Sequence, residues 1–243
     1  MSREEARRTI RSRIRVFVDF DGTISIGDTT DRILERFADS AWKTVEADWV
    51  AGRIGSRECL ARQIDLVRAS PEALDAFLHT AAVDPDFRHF VSRCRDYGVP
   101  VTVVSDGLDR VVTTMLARAG IELPFIANRL EWLGGERWRL GFPHARDDCR
   151  AVAGNCKCAA MSAEPGTLRV LVGDGRSDFC PAQSAHLVIA KDALLEHCRR
   201  EDLAYVPFED FAGASFVLSN LVAALTHRVP RAIEDLVHAP PTA

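Results

Sequence analysis

Apolar residues in this chain concentrate in four short runs that are rich in β-branched side chains and show little polar alternation. The runs are Ile14–Phe20, Val99–Val104, Leu168–Val172 and His186–Ala190. Near-continuous apolar runs of this length are typical of strands that are covered on both faces, as in parallel sheets. The pattern therefore predicts an α/β fold built on a doubly wound parallel sheet.

Helical periodicity fills most of the chain between these runs. Asp84-Pro85 predicts an N-cap followed by proline at the first helical position, and Gly98 stands where the glycine after a helix belongs. Ser70-Pro71 repeats the same start signal. A β-hairpin is predicted around Gly134-Gly135. Strands that alternate with helices in this way are expected of an α/β domain.

The connection between the first two predicted strands is much longer than the roughly 30 residues of a strand–helix–strand unit. Its surplus, residues 28–82, has helical periodicity of its own. We expect this segment to form a small α-helical cap domain, inserted after the first strand and lying over the strand ends. Residues 1–27 and 83–243 would then form the core. The alternative is that the segment supplies only ordinary surface helices.

Composition narrows the class of protein. The chain has 243 residues, of which 47% are hydrophobic and 27% are charged, enough for one sizeable core. A net charge of −4 offers no basic surface for nucleic acid, and no apolar run approaches the roughly 20 residues of a membrane span. The first residues lack the apolar region of a secretory signal, and seven cysteines are an odd number for a disulfide framework. We expect a cytoplasmic protein with no nucleic-acid or membrane partner, and its oligomeric state stays open.

Two acidic residues end the first predicted strand. Asp19 and Asp21 stand directly before Gly22-Thr23. Carboxylates this close repel each other unless a cation or a proton lies between them, and Mg²⁺ prefers such oxygen ligands. A carboxylate can also attack phosphorus while its neighbour transfers protons. The pattern favours Asp19 as nucleophile and Asp21 as general acid and base, and a solvated Asp-Gly turn is the structural alternative.

The other predicted strands end in residues that suit the same chemistry. Asp174 and Asp178 follow the third strand and can complete a magnesium shell, or can simply belong to a turn and a helix N-terminus. Ser105 ends the middle strand, where its hydroxyl and the backbone N–H groups that follow can hold a phosphoryl oxygen. Of the three lysines, Lys157 precedes the third predicted strand and is the candidate for offsetting the charge of the carboxylates. Lys191, at the end of the fourth predicted strand, is the alternative.

Cysteines flank this lysine and raise zinc as another possibility. Cys156 and Cys158 are separated by one residue, and Cys149 is nearby. This spacing is not the usual one for a zinc site, and no second pair accompanies it. We therefore expect magnesium rather than zinc.

Taken in chain order, Asp19–Thr23, Ser105, Lys157 and Gly173–Asp178 resemble the four motifs of the haloacid dehalogenase-like phosphatase superfamily, in its C1-capped branch, subfamily IB. The resemblance implies a Rossmann-like core and a magnesium-dependent phosphoric monoester hydrolase that acts on a small phosphorylated metabolite through an aspartyl-phosphate. It also implies a role for each residue. Asp19 is the nucleophile, Asp21 the general acid and base, Ser105 and Lys157 hold phosphate, and the magnesium ligands are Asp19, Asp21 (through its carbonyl), Asp174 and Asp178. Contacts to phosphate or substrate are further expected from Thr23, Asp28, Asp106 and Gly107.

Within this branch, three segments look most like the methionine-salvage enolase-phosphate phosphatase group: Ser105–Asp109, Asn155–Lys157 and Gly175–Cys180. Phosphoserine phosphatases are near relatives, and phosphocholine-type phosphatases are another alternative. Phosphoserine phosphatases normally have a glutamate at the cap entrance, where this chain has Asp28, and their substrate-binding arginine falls near Gln63. Both differences weigh against phosphoserine, and Arg53 or Arg57 can hold a different substrate group.

Proteins of other classes share parts of this pattern. A phosphoacceptor signalling domain also combines acidic groups, a hydroxyl, a lysine and magnesium, but the long insertion and the pair Asp19 and Asp21 disfavour it. A hydrolytic dehalogenase needs no magnesium and usually lacks the second aspartate. A binding module without catalysis is disfavoured because every charged role of an enzyme is filled.

Overall fold

A seven-stranded sheet runs through the protein in the computed structural model, which describes residues 13–162 and 166–226. The strands lie in the order β4-β3-β2-β1-β5-β6-β7. The pairs β1–β5, β2–β3, β5–β6 and β6–β7 are parallel, and β3–β4 is antiparallel. This confirms the predicted α/β fold with a largely parallel sheet. The strands are β1 (Ile14–Val18), β2 (Val101–Leu108), β3 (Phe125–Gly134), β4 (Arg137–Gly141), β5 (Leu168–Gly173), β6 (Leu187–Ala190) and β7 (Tyr205–Pro207).

Helices connect most of the strands, and the segment between β1 and β2 is largely helical, as its periodicity predicts. In the described part of the chain, no helix combines the length and apolarity that crossing a membrane requires. The first residues, where we expect no secretory signal, lie outside the described residues. The helices are α1 (Thr29–Phe37), α2 (Trp42–Val50), α3 (Ser56–Ile64), α4 (Pro71–Leu78), α5 (Phe87–Tyr97), α6 (Asp109–Arg118), α7 (Lys157–Ala160), α8 (Phe179–Ala182), α9 (Asp192–Arg200) and α10 (Phe211–Thr226), with a 3₁₀ turn at Arg176–Asp178.

Capping residues locate most of the predicted helix ends. Ser70 is the N-cap of α4 and accepts a backbone N–H of the first turn at 3.2 Å, and Gly98 ends α5 with a φ of +69°. The predicted start of α5 at Asp84-Pro85 is wrong, because the helix begins at Phe87. Asp84 instead accepts the backbone N–H of Asp86 at 2.8 Å. Its side chain therefore stabilises the turn that precedes the helix.

The chain divides into two compact units. The first contains the residues up to Val18, Asp84–Thr102 and the chain from Met161, and the second contains Asp19–Val83 and Val103–Ala160. In the first unit, α5 and α10 pack through fully buried phenylalanines whose ring centroids lie 4.7 to 5.1 Å apart. The boundaries of these two units differ from those of the predicted core and cap, in which the cap is residues 28–82. The division into core and cap stays a prediction.

In the second unit, hydrogen bonds connect the helical segment 28–82 to the hairpin and to α6. Trp138 of β4 is 2% exposed, and its Nε1 donates to the carbonyl of Ala69 at 2.8 Å. Arg110 of α6 donates to both carboxylate oxygens of Asp75, at 2.9 and 2.6 Å. The helical segment is therefore fixed at several points within this unit.

Strand β2 continues further than the sequence predicts. We expect the strand to end at Ser105, but extended backbone continues to Leu108. In the ladder with β3, Val104 pairs with Ile126 and Leu108 pairs with Asn128, so the register shifts between them. Such an irregularity leaves residues outside the regular ladder and redirects their side chains. Ser105, Asp106 and Gly107 lie between these two paired positions.

Candidate active site

Asp19 directly follows β1 and is almost completely buried. Its side chain is 7% exposed, and Oδ1 lies 2.7 Å from Nζ of Lys157, whose side chain is 2% exposed. Burying an unpaired charge costs several kcal/mol, so the carboxylate of Asp19 and the ammonium of Lys157 each need the other as a partner. The residues predicted as nucleophile and phosphate-binding cation thus lie side by side.

Asp21 is held by the start of α1. Its Oδ1 accepts the backbone N–H of Thr29 at 2.9 Å, and its Oδ2 accepts the hydroxyl of Thr30 at 3.0 Å. Burial first, and then the negative charges of Asp28 and Asp19, raise the pKa of Asp21 to about 7, although the two hydrogen bonds oppose this change. A carboxyl group of this kind can hold and release a proton near neutral pH, as a general acid and base must.

Two glycines allow the chain to approach Asp21 closely. Gly22 has a φ of +73°, which turns the backbone sharply after Asp21 and leaves Thr23 buried. At Gly107, an added Cβ would collide with Oδ2 of Asp21 and lie 3.1 Å from Oγ of Ser105. Only glycine fits at position 107 without moving the predicted acid.

Ser105 is buried next to this glycine. Its Oγ accepts the backbone N–H of Gly107 at 2.9 Å, and its carbonyl accepts the side-chain amide of Asn155 at 2.8 Å. The N–H of Gly107, which the sequence assigns to a phosphoryl oxygen, therefore orients the serine hydroxyl in this structure. Phosphate binding by Ser105, Gly107 and Thr23 stays a prediction.

Asp106 is a second buried carboxylate in this unit. Its Oδ2 accepts the hydroxyl of Ser56 at 2.6 Å, and its Oδ1 accepts the backbone N–H of Asn155 at 2.7 Å and the amide of Asn128 at 3.2 Å. Burial raises the pKa of Asp106, while these hydrogen bonds and the charge of Lys157 oppose the rise. Protein donors thus surround a side chain that the sequence assigns to the substrate.

Three carboxylates meet where β1 and β5 end. Val18 pairs with Val172, so the residues that follow each strand leave the sheet next to each other. One carboxylate oxygen from each of Asp19, Asp174 and Asp178 lies within 4.8 Å of the others. Asp19 and Asp178 are buried and Asp174 is half-buried. Among the described residues, no other group of three or more histidine, cysteine or acidic side chains is this close, and the cysteines around Lys157 form no such group.

Asp28, Arg53 and Gln63 of the helical segment, which the comparison with phosphoserine phosphatases singles out, have protein partners. Asp28 is exposed and is the N-cap of α1, where it accepts a backbone N–H at 2.8 Å. Arg53 is exposed and pairs with Asp48 at 2.6 Å. Gln63 is 2% exposed and donates to Glu46 at 2.9 Å. Substrate binding by Asp28 and Arg53 stays a prediction.

Sequence reasoning assigned no role to Ser56, Asn128 or Asn155. Ser56 starts α3 and is 50 residues from Asp106 in the chain, so no local pattern connects the two. Asn155 carries the one usable signal, because it stands two residues before Lys157 in a short run between glycine and cysteine. Polar residues beside a predicted catalytic lysine are reasonable candidates for holding it in place.

Comparison with known proteins identifies the family. Residues 16–183 match the family of haloacid dehalogenase-like hydrolases. The chain belongs to the haloacid dehalogenase-like hydrolase family. This haloacid dehalogenase-like protein is 31% identical over 207 residues to the 2-hydroxy-3-keto-5-methylthiopentenyl-1-phosphate phosphatase of Geobacillus thermodenitrificans, covering 83% of this chain and 94% of the relative. It is 33% identical over 201 residues to the protein of the same name from Geobacillus kaustophilus, covering 81% and 91%.

Solved structures agree on the fold of this haloacid dehalogenase-like protein. A phospho-aspartyl intermediate analogue of phosphoserine phosphatase superposes with a TM-score of 0.63 at 19% identity, covering 86% of this chain and 98% of the other. The matches confirm the predicted superfamily and the predicted class of enzyme, a phosphoric monoester hydrolase. The phosphatase names of the relatives favour this class over a dehalogenase or a signalling domain.

Proposed function

We propose that the protein is a magnesium-dependent phosphatase that hydrolyses a small phosphorylated metabolite through a phospho-Asp19 intermediate. The observation that supports this most strongly is the buried pair of Asp19 and Lys157, whose charged atoms lie 2.7 Å apart. An anionic nucleophile can approach a phosphate ester only when positive charge offsets the repulsion. Lys157 supplies one such charge at the atom that has to attack.

The first step forms the intermediate. A carboxylate oxygen of Asp19 attacks phosphorus, and a bond from this oxygen to phosphorus forms as the ester bond between phosphorus and the leaving oxygen breaks. The leaving oxygen takes the proton of Asp21, which Thr29 and Thr30 hold in place at 2.9 and 3.0 Å. The alcohol product departs, and Asp21 is left as a carboxylate.

The second step regenerates the enzyme. Asp21 takes a proton from a water molecule as the water oxygen attacks phosphorus. The bond between phosphorus and Asp19 breaks, and inorganic phosphate is released. Asp19 is then a carboxylate again beside Lys157, and Asp21 is again protonated. Each aspartate thus has a separate task, in agreement with their different surroundings.

The donor set in this structure suits magnesium. Asp19, Asp174 and Asp178 offer carboxylate oxygens within 4.8 Å of one another, and three such charges repel without a cation between them. These residues would hold the ion, together with the backbone carbonyl of Asp21. When bound, Mg²⁺ supplies further positive charge to the phosphoryl oxygens. Because Lys157 lies 2.7 Å from Asp19, the lysine and the metal would both place positive charge beside the same carboxylate in this proposal.

We propose a substrate of the type that the relatives' names give, 2-hydroxy-3-keto-5-methylthiopentenyl-1-phosphate. Identities of 31% and 33% over more than four-fifths of the chain support this choice. Gln63 also supports it, because its amide lies against Glu46 and offers no positive charge for the carboxylate of phosphoserine. In this proposal the helices of residues 28–82 form the cap. A cytoplasmic location without nucleic-acid or membrane partners is part of the same proposal.

Phosphate release from a panel of substrates tests this function. We expect kcat/KM for the thiopentenyl phosphate to exceed that for phosphoserine and phosphocholine by at least about tenfold. All turnover should stop in EDTA and return with excess Mg²⁺. A preference for phosphoserine would contradict the proposed substrate but not the mechanism. Full activity in EDTA would contradict the metal requirement.

Asp174→Asn tests the metal site more closely. An amide keeps the size of the side chain but removes one negative charge, so the Mg²⁺ concentration for half-maximal activity should rise by about 10- to 100-fold. A magnesium titration of aryl phosphate hydrolysis measures this change. Asp148→Asn is the matched control, because Asp148 is exposed and pairs with Arg146 at 2.8 Å. An unchanged titration in Asp174→Asn would exclude Asp174 as a ligand.

A further inference from the structure

Buried hydrogen bonds connect the first residue of α3 to the loop that leads into Lys157. The hydroxyl of Ser56 donates to Asp106 at 2.6 Å, and the other oxygen of Asp106 accepts the backbone N–H of Asn155 at 2.7 Å. Ser56 and Asp106 are 9% exposed and Asn155 is fully buried. We call these three residues the Asp106 bridge. Water can compete only weakly with bonds that are buried to this extent.

Backbone contacts next to the Asp106 bridge join the same two segments. The N–H of Arg57 donates to the carbonyl of Val152 at 3.2 Å. Gly55 lies so close to Val152 that an added Cβ would be 2.7 Å from its side chain. Val152 has a φ of +47°, which is unfavourable for a β-branched residue. Such a conformation persists where the surroundings impose it, so the start of α3 helps to hold this loop.

Asn155 transmits this restraint to the catalytic lysine. Its side-chain amide donates to the carbonyls of Ser105 and Ile126, at 2.8 and 3.0 Å, while its backbone N–H binds Asp106. Helix α7 begins two residues later, at Lys157. Because Asn155 is held by one backbone and two side-chain hydrogen bonds, the start of α7 is held as well, and Nζ of Lys157 reaches Asp19 from a fixed position.

We propose that Asp106 is a positioning residue that places Lys157 on Asp19 by holding Asn155 and the start of α3 together. The inference rests on the proposed function, since Lys157 must assist the reaction for its placement to matter. It assigns the Asp106 side chain a task other than substrate contact. The hydrogen bonds of Asp106 then both hold the helical segment and place the catalytic cation, Lys157.

The chemistry of the bridge explains why an acid occupies position 106. Its three partners, Ser56, Asn128 and Asn155, all donate to it, and a carboxylate can accept from all of them. Alanine would leave the N–H of Asn155 buried without an acceptor. Asparagine can keep its oxygen on Asn155 and donate its amide to the Ser56 hydroxyl, which can accept as well as donate. Asp106→Asn should therefore preserve the hydrogen bonds to Asn155 and Ser56 that Asp106→Ala removes.

A double-mutant cycle on kcat for p-nitrophenyl phosphate tests the proposal. The variants are Asp106→Ala, Lys157→Met and their combination. Loss of positioning should lower kcat of Asp106→Ala by about 10- to 100-fold, with a smaller change in KM. In the Lys157→Met background, Asp106→Ala should lower kcat only slightly further, because the effects of residues that act as one unit are not additive. Asp106→Asn should restore most of the activity.

A milder variant keeps the test open if Asp106→Ala does not fold. Ser56→Ala removes one bond of the Asp106 bridge and should lower kcat by less than Asp106→Ala does. Its effect should also vanish in the Lys157→Met background. Ser40→Ala is the matched control, because Ser40 is exposed in the same helical segment, and its kcat should equal that of the unmodified protein. Circular dichroism and thermal melting establish which variants are folded.

Two results would overturn the proposal. Multiplicative losses in the cycle would show that Asp106 acts independently of Lys157, and unchanged kcat in folded Asp106→Ala would show that it positions nothing. Asp19→Asn, assayed in parallel, separates this failure from that of the proposed function. Turnover that survives Asp19→Asn contradicts the function itself, whereas its loss alongside a fully active Asp106→Ala contradicts only the positioning role.

Discussion

Asp19→Asn is expected to lower kcat for p-nitrophenyl phosphate by at least about 10⁴-fold, the scale on which removal of a covalent nucleophile acts. An amide is a far weaker nucleophile than a carboxylate, and it also withdraws the negative charge that Lys157 meets at 2.7 Å. Asp106 still acts electrostatically on Lys157, so the buried ammonium retains an acidic neighbour. We therefore expect the variant to fold while it loses turnover.

Acid-quenched enzyme measures the missing intermediate directly. After incubation with ³²P-labelled substrate, the unmodified protein should carry covalent label and Asp19→Asn should carry none. Asp65→Asn is the matched control, because Asp65 is an exposed aspartate at the end of α3. Near-normal turnover in Asp19→Asn would exclude this residue as the nucleophile.

Asp21→Asn is expected to lower kcat for an alkyl phosphate by about 10²- to 10⁴-fold, the usual contribution of a positioned general acid. An alkoxide leaves poorly without a proton, whereas p-nitrophenolate leaves readily, so formation of the intermediate should suffer much less with the aryl ester. Asparagine can still accept from the N–H of Thr29 and can donate to the hydroxyl of Thr30, so the local structure is preserved.

The second step provides an independent measurement for Asp21→Asn. Without a base to activate water, the phosphorylated enzyme should persist, and p-nitrophenyl phosphate should give a stoichiometric burst of nitrophenol followed by slow turnover. Stopped-flow absorbance records this burst. Equal losses with alkyl and aryl esters, and no burst, would show that Asp21 transfers no proton.

The predicted family and sheet followed from local patterns in the sequence. Asp19, Ser105 and Asp174 lie at or just after the ends of apolar runs, and the length and composition of these runs can be read from neighbouring residues. Parallel strands direct their carboxyl ends to one edge of the sheet, where α/β proteins bind their ligands. The acidic cluster at the ends of β1 and β5 was therefore predictable from the order of strands and motifs.

Burial and distant hydrogen bonds required the tertiary structure. Whether Asp106 faces a substrate or protein donors depends on the irregular register of β2 and on Ser56, which is 50 residues away. The pKa of Asp21, raised to about 7, depends on its burial and on Asp28, neither of which a motif specifies. Strand and helix patterns arise from residues close together in the chain, so the sequence by itself determined the fold class and supplied the candidates for the reacting groups. Only folding decides which distant groups surround a side chain, and these groups set its charge state and its hydrogen bonds.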